Sequence, residues 1–256
     1  MCVDRQIPSP TVPRAATRRE IGLGIERIGR RQKQLIRLEQ FAALGLTASG
    51  VRRRVSSRDL FRVHRGVFAT HPPPYSPHQV NLAAVYAGGP GSVTSDLSAA
   101  YLLGATENAP AVTHVSNRSG NGRSIDGIVV HRRLIDPADV RERFGIPCTT
   151  PARTILDCAA AVGIERLEEL LMAADSGRPG LDRYRLEQLV AEHAGRRGIR
   201  NLRELISDDP LETEVENGRR MRGSAVASAS PIREPSTGSA PAAIRIAPTS
   251  AGPSSG

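Results

Sequence analysis

The stretch that decides the fold of the N-terminal region is TASGVRRRVSSRDLFRVHRGVF, residues 47–68. Thr47 or Ser49 can cap a short helix, because a side-chain oxygen at this position accepts a hydrogen bond from a free backbone N–H. Residues 60–68 then mix apolar and basic side chains around a turn near Arg65-Gly66, which is typical of a short β-hairpin. A helix followed directly by a basic hairpin predicts the second half of a winged helix-turn-helix domain.

Two further helices are predicted upstream of this stretch. Isoleucines recur at positions i, i+4 and i+7 within residues 18–31 and would form one face of a helix, although glycines interrupt it. The residues on that face are Ile21, Ile25 and Ile28. A second helix is expected over about residues 37–44 and would end at Gly45, which tolerates the left-handed backbone that follows many helices. Three helices and a hairpin predict a winged helix-turn-helix domain over residues 18–71.

The excess positive charge lies in the same region. Residues 14–65 contain 14 basic and 4 acidic residues, a net charge of +10, whereas the rest of the chain contains 21 basic and 22 acidic residues. A basic module on a nearly neutral body predicts binding to a polyanion, most often nucleic acid. The alternative is a solvated basic face that reflects the arginine bias of a GC-rich gene.

Helical geometry assigns different roles to the residues of the predicted third helix. Val51 and Val55 lie about 40° apart around the helix axis and mark the side that faces the core. Arg53 and Ser49 point away from that side and are predicted to contact base edges in the major groove of double-stranded DNA. The other predicted contacts go to phosphates, which position the helix without reading sequence. Their residues are Arg52, Arg54, Arg58, Arg62, His64 and Arg65.

The second part of the chain, beyond a connector rich in proline, is predicted to be an α/β domain over residues 77–206. Its expected helices lie at residues 77–87, 95–103, 151–161, 164–175, 182–194 and 199–206. Its expected strands lie at residues 111–116 and 128–131. Together with the N-terminal module, this pattern predicts the α+β class.

Several function classes are excluded or disfavoured by composition. No stretch approaches 18 uninterrupted apolar residues, which excludes a membrane-spanning helix, and the N-terminus lacks the apolar segment of a signal peptide. The three cysteines are odd in number and lack metal-ligand spacing, so we expect a reduced, cytoplasmic protein without metal or other cofactor. Cys148 and Cys158 are expected to be small core residues.

Candidate catalytic residues are few. Asp157 with Arg153 is expected to form a surface ion pair at helical i, i+4 spacing, and His131 is expected to be structural. His64, His71 and His78 are seven residues apart, which is not a ligand spacing on one helical turn. The chain is therefore predicted not to be an enzyme.

Two motifs resemble a known protein family. The segments RVHRGV at residues 62–67 and TTPART at residues 149–154 are similar to those of AbiEi-type antitoxins, and the resemblance covers about residues 20–206. It implies a DNA-binding antitoxin of a type IV toxin–antitoxin system that represses its own operon at the promoter. It also implies a nucleotidyltransferase-like toxin as functional partner, with direct contact left open.

Proteins of this architecture often continue into an endonuclease domain of the very-short-patch-repair type. Here residues 211–216 resemble only the opening helix of that domain, and Glu234 is the sole acidic residue beyond Glu216. The two carboxylates of a Mg²⁺ site are therefore missing, and we expect nuclease activity to be lost through a frame change or an early end of the gene.

Residues 1–17 are expected to be a disordered leader, residues 207–222 the nuclease-type remnant and residues 223–256 a disordered tail. In that tail 25 of 34 residues are Ser, Ala, Pro or Gly, which bury too little apolar surface to fold. Two alternatives to the antitoxin hypothesis follow. One is a truncated, inactive relative of the endonuclease, and the other is a protein-interaction module with a non-specific basic segment.

Overall fold

The protein is described here by a computed structural model. The residues that it describes are 17–118, 125–177 and 180–207. Of the predicted leader at 1–17 only Thr17 is among the described residues, and of the predicted nuclease-type remnant at 207–222 only Ser207. The rest of both segments and the predicted tail at 223–256 lie outside them.

The chain divides into two compact units, Met1–Pro72 and Pro73–Gly256. The border between them falls in the proline-rich connector. Both contain helices and strands, which confirms the predicted α+β class. Among the described residues, no helix combines the length and the apolar character that crossing a lipid bilayer requires.

The first unit combines three helices with a small antiparallel sheet. Its elements are α1 (Arg18–Arg31), β1 (Leu35–Arg37), α2 (Leu38–Ala43), α3 (Ala48–Ser56), β2 (Phe61–His64) and β3 (Val67–Ala69). The strand order is β1-β3-β2, so the β2–β3 hairpin pairs with a strand that the sequence analysis did not predict.

Local sequence explains where these helices begin and end. Thr17 and Glu20 form a reciprocal capping box at the start of α1, and these hydrogen bonds lower the pKa of the Glu20 carboxyl. The hydroxyl of Thr47 accepts a hydrogen bond of 3.2 Å from the Gly50 N–H and caps α3. Gly45 has φ +80° directly after α2, which confirms the predicted left-handed position.

The core of the first unit joins the sheet to the inner sides of α2 and α3. Its buried residues are Ile36, Phe41, Val51, Leu60 and Phe68. The rings of Phe41 and Phe68 meet edge to face with centroids 5.6 Å apart. Val55 packs against this cluster together with Val51, so the predicted core-facing side of the third helix is confirmed.

The second unit contains a five-stranded mixed sheet with strand order β6-β5-β4-β8-β7. Its strands are β4 (Val93–Thr94), β5 (Thr113–Asn117), β6 (Ile128–Arg132), β7 (Val140–Arg143) and β8 (Ile146–Thr149). Strand β5 pairs parallel to β6 and antiparallel to β4, while β8 pairs parallel to β4 and antiparallel to β7. Strands β5 and β6 were predicted, whereas β4, β7 and β8 were not.

All six predicted helices of this unit are present. Their ends lie within two residues of the predicted ones, except that the helix predicted at 151–161 ends at Cys158. They are α4 (Pro77–Gly88), α5 (Asp96–Leu103), α6 (Pro151–Cys158), α7 (Ile164–Ser176), α8 (Arg183–Glu192) and α9 (Ile199–Ser207). A short 3₁₀ helix also lies at Pro137–Asp139. Helices α6 to α9 share one core that includes Leu156, Leu170 and Leu189. Cys148 and Cys158 are buried as predicted.

Candidate nucleic-acid interface and buried ion network

Helix α3 presents Arg52 and Arg53 at the surface, away from the core-facing side of Val51 and Val55. Val51 is 2% exposed, whereas Ser49, Arg52 and Arg53 lie at the surface. The hydroxyl of Ser49 lies 3.0 Å from that of Thr47, which keeps it beside the helix N-terminus. The residues predicted to reach base edges, Ser49 and Arg53, therefore share one exposed face.

Arg54 is placed differently from its two neighbours. Its side chain is half-buried, and its NH1 atom is enclosed without a hydrogen-bond partner among the described residues. It lines a groove between α1 and α3, and the other lining residues are Arg18, Ile21, Leu46, Gly50, Arg53, Ser57 and Asp59. The guanidinium of Arg54 is thus held against the protein, and only part of it is available to a ligand.

Of the residues in the hairpin that were predicted to contact DNA, two are exposed and one is buried. Arg62 and Arg65 are exposed, and so is Arg58, which precedes the hairpin. His64 is 8% exposed and lies inside the unit beside Val67, its neighbour in the sheet. A phosphate contact through the His64 imidazole therefore conflicts with its burial, and the surface of the hairpin is formed by the arginines.

The exposed arginines of α3 and the hairpin carry uncompensated charge. In the described part of the chain, none of the following residues has an acidic group within ion-pair distance: Arg52, Arg53, Arg58, Arg62 and Arg65. Two basic residues of neighbouring elements differ, because Arg30 pairs with Glu26 at 2.5 Å and Arg37 with Glu39 at 2.9 Å. Uncompensated guanidinium groups on one helix and one hairpin form a surface that attracts a polyanion.

The second unit contains a buried ion network that the sequence analysis missed. Its three carboxylates, Asp96, Asp139 and Asp157, are at most 2% exposed. Buried carboxylates are tolerated only when charged and hydrogen-bonding partners surround them. Those partners are four arginines from distant parts of the chain: Arg133, Arg153, Arg185 and Arg196.

Asp157 is the most shared of the three carboxylates. Nε of Arg153, one helical turn away on α6, donates to both of its oxygens at 3.3 Å. NH1 of Arg133 and NH2 of Arg196 lie 3.3 Å and 2.8 Å from its Oδ1. The expected surface ion pair between Arg153 and Asp157 is therefore wrong about the surface, since Asp157 is fully buried and Arg153 is 4% exposed.

Asp139 connects the 3₁₀ helix to α8. Nε and NH2 of Arg185 each donate to one of its carboxylate oxygens at 2.9 Å. This two-pronged contact fixes the guanidinium plane, and it raises the pKa of Arg185 above its ordinary value. The pair links two segments that are 46 residues apart in sequence.

Asp96 begins α5 with an unusual backbone. Its φ is +51°, a conformation that costs energy for a residue with a side chain and persists only when the surroundings hold it. Two nitrogens of Arg133 donate to its two carboxylate oxygens at 2.7 and 3.2 Å. The Asp96–Arg133 pair thus ties the start of α5 to the segment that follows β6.

Two histidines lie beside Asp96. Nδ1 of His114 and Nε2 of His131 are 3.0 Å apart, and the same nitrogen of His131 lies 3.5 Å from Oδ2 of Asp96. Burial lowers the pKa of both imidazoles, and the neighbouring Asp96 carboxylate opposes part of that shift. Both rings are therefore neutral near pH 7, and one of the facing nitrogens donates its proton to the other.

Only one part of this network has a signal in the sequence. Arg153 and Asp157 stand at i, i+4 spacing on a predicted helix, where an ion pair is expected. Other pairs join residues 24 to 46 positions apart, such as Arg133 with Asp157 and Asp139 with Arg185. No local periodicity marks such contacts.

Comparison with known protein families gives a match within the second unit. Residues 93–208 match the family model described as the AbiEi antitoxin C-terminal domain. No curated protein matches the chain. Among solved structures, the chain is similar to the crystal structure of the RV2827C protein from Mycobacterium tuberculosis. That similarity has 17% sequence identity and a TM-score of 0.49, and it covers 85% of this chain and 86% of that one.

Proposed function

From the premise that residues 93–208 match the AbiEi antitoxin C-terminal domain, we propose that the chain is an AbiEi-type antitoxin that also binds DNA and represses its own operon. Its functional partner in this proposal is a nucleotidyltransferase-like toxin. In this proposal the chain acts in the cytoplasm, where it binds the promoter of its operon.

The observation that carries the DNA-binding part is the uncompensated arginine surface of the first unit. The element order α1, β1, α2, α3, β2, β3 with strand order β1-β3-β2 supports a winged helix-turn-helix domain in this proposal. In such a domain α3 is the recognition helix and the β2–β3 hairpin is the wing. Arg52 and Arg53 on α3, and Arg62 and Arg65 on the hairpin, then face the DNA.

The proposed contacts follow from exposure. Arg53 and Ser49 read base edges in the major groove, since they share the outward face of α3. Arg52, Arg58, Arg62 and Arg65 contact phosphates, and Arg54 contributes through the exposed part of its guanidinium. His64 takes no part in these contacts because it is buried.

The test is fluorescence anisotropy of the full chain with a labelled duplex from the intergenic region upstream of its gene. The double variant Arg52→Ala/Arg53→Ala should bind at least about tenfold more weakly, because a base contact and a phosphate contact are lost together. The matched control is Arg166→Ala/Arg200→Ala, which removes the same charge from exposed sites on α7 and α9. Equal affinity of both double variants would contradict the proposed interface.

The proposal includes no enzymatic activity. Incubation of the full chain with plasmid DNA and Mg²⁺ should leave the supercoiled form intact, since the sequence beyond Glu216 offers a single carboxylate, Glu234. Metal-dependent nicking by the purified protein would support the endonuclease alternative instead.

A further inference from the structure

We propose that Asp96, His114 and His131 form a binding site for a divalent transition-metal ion such as Zn²⁺ or Ni²⁺. Each residue offers one ligand atom, and these atoms all lie within 4.8 Å of one another. Carboxylate oxygens and neutral imidazole nitrogens are ordinary ligands of these ions.

The fold brings the three side chains together from separate elements. In the parallel pair of β5 and β6, His114 is opposite Val129 and Ser116 is opposite His131. His114 and His131 therefore point to the same face of the sheet, two positions apart. The first turn of α5 is tied to β5, since Ser98 Oγ accepts a hydrogen bond of 2.9 Å from the backbone N–H of His114.

The two separations that involve the His131 nitrogen are close to those around a tetrahedral ion. Ligand atoms about 2.0–2.1 Å from such an ion are roughly 3.3 Å apart. The separation of the two nitrogens is 3.0 Å, and that of the His131 nitrogen and the Asp96 oxygen is 3.5 Å. The imidazole planes differ by 12° with centroids 5.3 Å apart, so the two nitrogens face each other along a hydrogen bond. When the donating imidazole carries its proton on its other ring nitrogen, both facing nitrogens have a free lone pair, and a rotation of one ring directs both lone pairs to a common point.

The surroundings provide support and access. Arg133 binds both oxygens of Asp96 and fixes the carboxylate, as outer partners of ligands do in metal proteins. Its positive charge opposes a bound cation, and its further contact with Asp157 at 3.3 Å offsets part of this effect. The His131 side chain is 24% exposed, which gives an ion a path from solvent.

The experiment is isothermal titration calorimetry of the full chain with ZnCl₂ and, separately, NiCl₂. We expect one ion per chain, and at least about tenfold weaker binding for His131→Ala and for His131→Gln. The second variant keeps a polar side chain at the site, so that a folding defect of the first does not decide the outcome. His193→Ala is the control, because the His193 ring is outside the proposed site and is hydrogen-bonded to the backbone carbonyl of Leu189 on α8.

Thermal unfolding gives an independent measurement. A saturating amount of either ion should raise the melting temperature of the parent chain and of His193→Ala, but not that of the His131 variants. Absence of saturable binding to the parent chain would overturn the proposal. Binding that is unchanged in both His131 variants would overturn it as well, since the ion would then sit elsewhere.

Discussion

At the scale of single residues, three consecutive arginines of α3 have three different surroundings. Successive residues of a helix are about 100° apart, so Arg52, Arg53 and Arg54 cannot all enter one groove. Arg53 lies on the outward face, Arg52 beside it, and Arg54 in the groove against α1. Identical side chains therefore have different expected roles.

We predict that Arg53→Ala costs about 1–3 kcal/mol of binding free energy on the specific site and flattens base preference at one position. Arg52→Ala should instead weaken binding to specific and random duplexes alike, because a phosphate contact reads no sequence. Affinities of the single variants for both duplexes decide this. Equal losses on both duplexes for both variants would make α3 a non-specific basic face.

A second residue-scale prediction concerns Asp157. Asp157→Ala leaves Arg153, Arg196 and part of Arg133 without their buried carboxylate, and should lower the free energy of unfolding by about 3–5 kcal/mol. Glu169→Ala is the control, since this carboxylate is 59% exposed in its pair with Arg166 and should contribute below about 1 kcal/mol. Urea unfolding followed by circular dichroism measures both. Similar losses for the two variants would refute the role of burial.

The third residue-scale prediction concerns the thiol of Cys148. Burial raises its pKa to about 11, so the thiol stays protonated below that pH and carries little of the reactive thiolate. In the folded chain at pH 8, iodoacetamide should leave the Cys148 peptide unmodified for hours, as measured by mass spectrometry. The same peptide should be alkylated within minutes in urea. Rapid labelling without denaturant would show that this part of the sheet opens readily.

At the scale of elements, the entry into α9 depends on a glycine. Gly198 has φ +81°, and a Cβ atom there would lie 1.8 Å from the carbonyl oxygen of Ala159, just after α6. The close approach of the two backbones lets α9 pack on the same core as α6 and α7. Glycine is thus required at this position for both conformation and space.

We predict that Gly198→Ala destabilises the protein more than Gly127→Ala does. Gly127 also has positive φ, +72°, but a Cβ there would meet nothing within 4 Å. The control should lose about 1–2 kcal/mol through backbone strain. Gly198→Ala should lose at least about 1 kcal/mol more, because the overlap with Ala159 forces the helices apart. Equal unfolding free energies of the two variants would mean that the backbone before α9 can move away from Ala159 without a loss of stability.

At the scale of the whole molecule, charge is divided between the parts of the chain. The segment 14–65 carries a net charge of +10, and the remainder is close to neutral. In the second unit, four arginines are paired with the buried carboxylates, whereas the exposed arginines of α3 and the hairpin have no acidic partner among the described residues. Binding to a polyanion should therefore come from the first unit.

We therefore predict that DNA binding by the full chain weakens strongly as the salt concentration rises. Contacts to about five phosphates give a slope near −4.5 for log affinity against log salt concentration. Arg62→Ala should make this slope shallower by about one unit, whereas Arg166→Ala on α7 should leave it unchanged. Anisotropy titrations between low and moderate salt measure the slope. A slope near zero would contradict phosphate contacts altogether.

The sequence by itself was sufficient for the features that local chemistry dictates. The capping of α3 by Thr47, the left-handed Gly45 and the buried side of α3 follow from neighbouring residues, and the structure confirms each. The helices of the second unit were predicted from the same kind of signal. A helix of eight or more residues has a period, caps and turn residues that can be read along the chain.

Only the tertiary structure decided the rest. Strands β1, β4, β7 and β8 have two to four residues, too few for a period of two to be recognised, and they exist because partners elsewhere in the chain complete their hydrogen bonds. The same holds for the ion network and the histidine pair, whose members come from segments far apart in sequence. An isolated Asp, Arg or His in a sequence is most simply interpreted as a solvated side chain. Their burial and pairing depend on how the sheet and helices pack, because a buried charge is stable only where distant segments bring its partner to it.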